Sequence, residues 1–315
     1  MKFYSIAPIL TLILLTACST GPVNFPEATR VTPQTQPTMD RPTESVLHAL
    51  TAPVLMPTST SRPPLAQDAW MQMPAVPAGV SDSMIDVYQL GLVLGNDPTR
   101  FSIIGDCQNV SSYFLSIFDS PGDFSLGGEY AYLQPTIDYY RGSFSRQSLA
   151  VKGGFNAAAV ISPLRADPKS CNPSESPLDC ELRAWKPSVV FVSMETWWSE
   201  KPAEEYDKYM RRVIERILET GAVPIIATKA DNLEGDQSIN AAIAQIAYDY
   251  DIPLWNFWVA VQPLPNQGLW DDGFHLTFAR NFFDDPKRME SAWPWRNLTA
   301  LQTLDVVRKG LLDGN

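Results

Sequence analysis

Apolar residues fall along this chain into short solid runs and longer periodic stretches, and the two kinds alternate from residue 84 onward. The solid runs are Phe101-Ser102-Ile103-Ile104, Leu149-Ala150-Val151, Ser188–Met194, Val223–Ala227 and Ile252–Asn256. Runs this short and this apolar, closed by turn residues, predict strands covered on both faces. Between them, Tyr206, Tyr209, Met210, Val213, Ile214, Ile217 and Leu218 keep i, i+3, i+4, i+7 spacing up to Gly221 and predict an amphipathic helix. Further helices are predicted at Met84–Leu92, just after Asn156, near Ile239–Tyr250 and at Leu298–Leu312, the last with Leu301, Leu304, Val307 and Leu311 on one stripe. Strands alternating with helices predict right-handed crossovers between parallel strands. The expected architecture is a three-layer α/β/α sandwich with a five-stranded, mostly parallel sheet. Ligands of such sheets bind beyond the carboxyl ends of the strands, so the turns after each strand are where chemistry is sought.

The first eighty residues follow a different pattern. Lys2 precedes a short apolar core at Ile9–Leu15, and Leu15-Thr16-Ala17-Cys18 follows. That core is too short to span a bilayer, which takes about 20 apolar residues. Leu-Thr-Ala-Cys matches the lipobox at which bacterial lipoproteins are cleaved and acylated. Residues 1–17 therefore read as a signal peptide and Cys18 as the lipidated residue. From there to residue 80, Pro, Thr and Ser dominate without periodicity, as in a disordered and extended tether. Residues 81–315 are left as one folded domain. The expected location is outside the cytoplasm, with the lipid on Cys18 holding the chain to the cell membrane or the outer membrane. A formal net charge of −11 disfavours a nucleic-acid partner.

Chemistry concentrates in few residues. Of two histidines, His48 lies in the tether, so His275 is the imidazole available to a folded site. Asp272 stands three residues before it, where a carboxylate can hold one ring nitrogen and fix the tautomer; an incidental histidine in a capped turn is the alternative. One histidine also weighs against a catalytic zinc site, and no metal or other cofactor is expected. Cys171 and Cys180 flank a short loop and read as a local disulfide outside the reducing cytoplasm. Cys107, after the first strand, is left outside it, as either a nucleophile or a buried structural thiol.

Gly105-Asp106-Cys107, Gly154-Phe155-Asn156 and Asp272-Gly273-Phe274-His275 follow each other in an order that resembles the blocks of the SGNH/GDSL hydrolases. The resemblance implies the flavodoxin-like fold of that family and hydrolysis of esters. It implies Cys107 at the position of the nucleophilic serine, His275 as base and Asp272 as its orienting partner. The backbone N–H groups of Cys107 and Gly154 would form the oxyanion hole, with Asn156 or Trp197 as a further donor. Two departures stand out: cysteine replaces serine, and Glu195-Thr196-Trp197-Trp198 stands where the family has Gly-x-Asn-Asp. Trp198, Trp255 and Trp270 near the strand ends suggest stacking on sugar rings. The expected ligand is an acylated glycan or a small ester. The competing expectation is a non-catalytic glycan- or peptide-binding lipoprotein on a degenerate version of the same fold; a transporter's solute-binding component is weaker, because two similar lobes are not visible.

Overall fold

The computed structural model describes residues 62–194 and 202–314. The signal peptide, Cys18, Trp197, Trp198 and the tether as far as residue 61 lie outside the described residues. Among the described residues, no helix is long and apolar enough to cross a membrane.

One parallel sheet carries the domain. Its strands are β1 (Asp97–Gly105), β2 (Pro187–Ser193), β3 (Val223–Ala227) and β4 (Leu254–Trp255), hydrogen-bonded in the order β1-β2-β3-β4. All seven residues of β2 and all five of β3 are buried. Successive side chains of a strand point to opposite faces, so burial of every one means that both faces are covered. The helices that cover them are α1 (Asp82–Leu94), α2 (Pro177–Trp185), α3 (Ala203–Glu219), α4 (Ser238–Tyr250) and α5 (Ala292–Asp313). α3 packs on α4, and α1 packs on α5. This is the expected α/β sandwich. The buried residues of α3 are Tyr206, Met210, Val213, Ile214, Ile217 and Leu218, the stripe that its spacing predicts save for the half-buried Tyr209.

The sheet has four strands rather than five. Leu149–Val151 contributes only a single parallel bridge, Val151 to Gly105, on the free edge of β1. The segment has no length to form a ladder, because the chain turns at Gly153 and at Gly154, whose φ is +82°. The bridge still marks the order of a flavodoxin-like sheet. The chain leaves β1 toward one side and returns through β2 on the other, which puts a topological switch point at the carboxyl end of β1.

The packed body begins before residue 81. Trp70 is buried and meets Trp258 edge-on at 4.9 Å. The Asn256 side chain donates to the carbonyls of Trp70 (2.8 Å) and Met73 (3.2 Å), and its backbone N–H donates to that of Ala75 (3.0 Å). Arg62 forms an ion pair with Asp251, and the Leu65 N–H donates to Gln245 Oε1 at 2.8 Å. Proline richness predicts an extended chain, but Ala69–Gln72 forms a 3₁₀ turn and buries Trp70 against the domain.

α5 starts six residues before the predicted Leu298, because Pro294 is tolerated in a first helical turn. Asn297, which reads as a helix N-terminus in the sequence, is instead buried inside α5. Its Oδ1 accepts the Leu115 N–H at 2.7 Å, and its amide donates to the Tyr113 carbonyl at 3.2 Å. α1 sits close to the turn before β3 through two glycines. A Cβ on Gly91 would lie 2.1 Å from the Gly221 carbonyl oxygen, and Gly221 itself has φ +72°.

Candidate active site

β1 ends in Gly105, and the next two residues turn the chain onto the carboxyl end of the sheet. Asp106 is fully buried and its Oδ1 accepts the Gln108 N–H at 3.0 Å, which caps the turn and presents Cys107, half-buried, at its apex. Gly105 is required here, since a Cβ on it would lie 2.4 Å from the Asn109 side chain. Asn109 in turn donates to the Ser193 carbonyl at the end of β2 (2.8 Å), so the Cys107 turn is tied to the neighbouring strand.

The glycine turn stands beside it. A Cβ on Gly153 would be 3.9 Å from the Cys107 Cβ. This turn is held from behind by a buried charge: Glu181 accepts both Arg146 guanidinium nitrogens (2.6 and 2.7 Å) and the Leu149 N–H (2.9 Å). Such bidentate, nearly water-free pairs are geometrically specific. Among the described residues, no acceptor takes the Gly154 N–H.

The third part is the loop 270–278. Asp272 Oδ1 accepts the backbone N–H of Phe274 (3.0 Å) and of His275 (2.9 Å), and Oδ2 lies 2.6 Å from His275 Nδ1. The ring bond first, and then the two backbone bonds, hold the Asp272 carboxyl down at about 2. Gly273, at φ +67°, lets the chain double back within this turn. The Trp270 backbone N–H donates to the His275 carbonyl at 2.8 Å, so the loop is closed on itself.

Cys107, Asp272 and His275 all line one cleft of about 710 Å³. The three residue types that the sequence singles out for nucleophilic chemistry therefore share one concave surface at the switch point of the sheet. With Nδ1 engaged by Asp272, Nε2 is the ring nitrogen left to exchange a proton.

Other expectations change. Trp255 is not a ligand platform: it is fully buried, stacked on Phe114 at 5.7 Å, with its indole N–H donated to Thr299 Oγ1 at 2.9 Å. Neither Gly154 nor Asn156 lines the cleft. Asn156 Oδ1 accepts the N–H groups of Ala158 and Ala159 (3.1 and 2.9 Å) and so caps a short helix. Trp270 does line the cleft and is 54% exposed. The Cys171–Cys180 disulfide is formed. Among the described residues, the one group with metal-ligand spacing is Cys171, Glu175 and Cys180, whose two sulfurs are joined to each other.

Sequence reasoning missed Gln108, Tyr113, Leu276, Phe278 and Trp293, which also line the cleft, and Arg296, which lies over the Trp293 ring. Arg296 is fully buried. It donates to Asn109 Oδ1 (3.1 Å) and Ser193 Oγ (2.9 Å), and lies over the rings of Phe114, Trp255 and Phe257 at 4.9 to 5.2 Å. The only signal for it was an arginine set among Trp293, Trp295 and an apolar helix stripe.

No family model matches the sequence, and neither does any curated protein. Two solved structures are similar in fold. One is described as a candidate SGNH hydrolase from Slackia heliotrinireducens, 15% identical, covering 65% of this chain and 97% of its own, at a TM-score of 0.43. The other is described as a candidate lipolytic protein of the G-D-S-L family from Desulfitobacterium hafniense DCB-2, 15% identical, covering 65% of this chain and 99% of its own, at a TM-score of 0.39.

Proposed function

We propose that this chain is an SGNH/GDSL-type hydrolase of carboxylic esters, acting on O-acyl groups of polysaccharide, with Cys107 in place of the serine. The observation that carries this reading is the sharing of one cleft by Cys107 and the bonded Asp272–His275 pair. The Cys107 sulfur attacks the ester carbonyl carbon as His275 Nε2 takes the thiol proton, and a thioester forms. The same nitrogen returns the proton to the leaving sugar oxygen, and then activates the water that releases the acid and the thiol. Asp272 holds the tautomer and stabilises the imidazolium. This reading assigns the oxyanion to the N–H groups of Cys107 and Gly154, and Asn156 to its helix cap. Purified protein should hydrolyse p-nitrophenyl acetate and deacetylate acetylated xylan, and Cys107→Ala and His275→Ala should each remove that activity. Equal background rates in all three proteins would refute the reading.

A second reading, a glycan-binding lipoprotein without turnover, draws on the half-exposed ring of Trp270 at the cleft mouth. It is favoured if oligosaccharide binding survives in Cys107→Ala and no ester is cleaved. In either case the chain works outside the cytoplasm, held to a membrane by lipid on Cys18. The Leu15–Cys18 motif and the Cys171–Cys180 disulfide support that placement. Acyl chains on the amino-terminal peptide, lost in Cys18→Ser, would test it by mass spectrometry.

A further inference from the structure

The walls of the cleft carry a second message. Tyr113, Trp270 and Phe278 are 51, 54 and 57% exposed, three of the eight large apolar side chains that are exposed among the described residues, and all three border this one cleft. Trp293 stands behind Tyr113, their rings 5.6 Å apart and tilted by 31°. The backbone that carries these rings is also tied down. The Tyr113 backbone carbonyl accepts the Asn297 side-chain amide, and the Trp293 backbone N–H donates to the Thr277 carbonyl at 3.1 Å. Thr277 Oγ1 donates to the Gly268 carbonyl at 3.0 Å and accepts the Ala292 N–H at 2.9 Å, which ties the loop of His275 to the start of α5. Rigid rings on an anchored backbone present stacking area at little ordering cost.

The charge of the cleft is as informative. Among the described residues that line it, none is Lys or Arg, and the one carboxylate is Asp272, already engaged by His275. Gln108 and the phenol and indole groups supply neutral hydrogen bonds. A carboxylated or phosphorylated polymer would find no cation among these described lining residues, and would approach a chain of net charge −11.

We propose that the polysaccharide this cleft accepts is uncharged, its sugar rings lying on the faces of Trp270 and Tyr113, which act as specificity residues. The proposal rests on the ester-hydrolase reading for its reaction but not for its binding. The test is titration of full-chain Cys107→Ala, followed by calorimetry at roughly 0.15 M salt so that long-range repulsion is screened. The probes are acetylated xylo-oligosaccharides and acetylated oligogalacturonates of equal length. The neutral probe should bind roughly tenfold more tightly or better. Trp270→Ala and Tyr113→Ala should each weaken it by roughly tenfold, and Trp270→Phe should restore most of the loss. Unchanged circular dichroism in the variants separates a lost platform from a lost fold. Tighter or equal binding of the anionic probe, or binding indifferent to both rings, would overturn the proposal. Wild-type turnover of p-nitrophenyl acetate is read in parallel. If it is absent while neutral binding persists, the hydrolase reading fails and the preference for an uncharged glycan stands.

Discussion

Asp272 and His275 engage each other through both carboxylate oxygens: Oδ2 meets the ring Nδ1 at 2.6 Å, and Oδ1 accepts the His275 backbone N–H at 2.9 Å. One side chain therefore fixes both the path of the chain and the orientation of the imidazole. Asparagine at this position separates the two roles. Its carbonyl oxygen can still accept the backbone N–H groups, but its amide donates to Nδ1 and drives the proton to Nε2. Asp272→Asn should leave the fold intact and lower kcat/KM on p-nitrophenyl acetate by on the order of 10² to 10⁴. A loss smaller than tenfold would detach Asp272 from the chemistry.

The depressed pKa of Asp272 has a pH consequence. Its bonds in the folded chain hold the carboxyl at about 2, below its ordinary value of 3.8. A folded-state pKa below the unfolded one means a stabilising contribution present above pH 3.8 and lost as pH falls toward about 2. The carboxylate stays ionised wherever an enzyme assay is practical, so the acid limb of kcat/KM should show no carboxylate inflection between pH 3 and 5 arising from this residue. A pH–rate profile of wild type that falls in that window, and does not in Asp272→Asn, would contradict the assignment.

The dyad was legible because its two members are three residues apart, so a tight turn alone can join them. The strands were legible for a similar reason: β2 is apolar at nearly every position, and no helix of a half-solvated domain needs that. What escaped depends on packing against residues distant in the chain. Trp255 lies within a strand and is fully buried against Phe114, whereas Trp270 stands in a loop and is 54% exposed at the cleft. Asn156 matched a motif position, but the short helix after it needed a cap and took its side chain. The stretch 62–80 looked like tether because its prolines forbid regular structure; its contacts with Asn256 and Asp251 are made by partners almost two hundred residues away.

Arg296 should be the residue whose loss costs the fold most around the site. Truncation leaves the amide oxygen of Asn109 and the hydroxyl of Ser193 without their guanidinium donor, and opens a void between Phe114, Trp255 and Phe257. Arg296→Ala should destabilise the domain by about 3 kcal/mol or more. Urea denaturation with an unchanged m-value measures it. Because Asn109 also holds the Ser193 carbonyl beside the Cys107 turn, kcat should fall in the protein that remains folded.

The disulfide should matter to stability and not to turnover. Neither Cys171 nor Cys180 lines the cleft, and they close a loop with a sequence separation of 9. Chain entropy gives such a crosslink about 2.6 kcal/mol. The double substitution Cys171→Ser with Cys180→Ser should lower the denaturation midpoint accordingly while kcat/KM at 25 °C stays within twofold. A loss of activity without a loss of stability would place this loop in the reaction.

Cys107 itself separates nucleophile from structural thiol most directly. Iodoacetamide should alkylate it in the folded protein and abolish ester hydrolysis, with bound acetylated oligosaccharide slowing the inactivation. Cys107→Ser restores the Gly-Asp-Ser sequence of the hydrolases that the chain resembles, with Asp106 still capping the turn and His275 still held by Asp272. It should keep measurable hydrolysis and become indifferent to the reagent, since a hydroxyl is not alkylated under these conditions. The released acid should also appear by a different route: wild type should accumulate a thioester at Cys107 that hydroxylamine at neutral pH discharges, whereas the serine ester should resist the same treatment. If Cys107→Ser and Cys107→Ala are equally inert and the wild type is not alkylated, the sulfur at the end of β1 serves the fold and the ester chemistry is not its own.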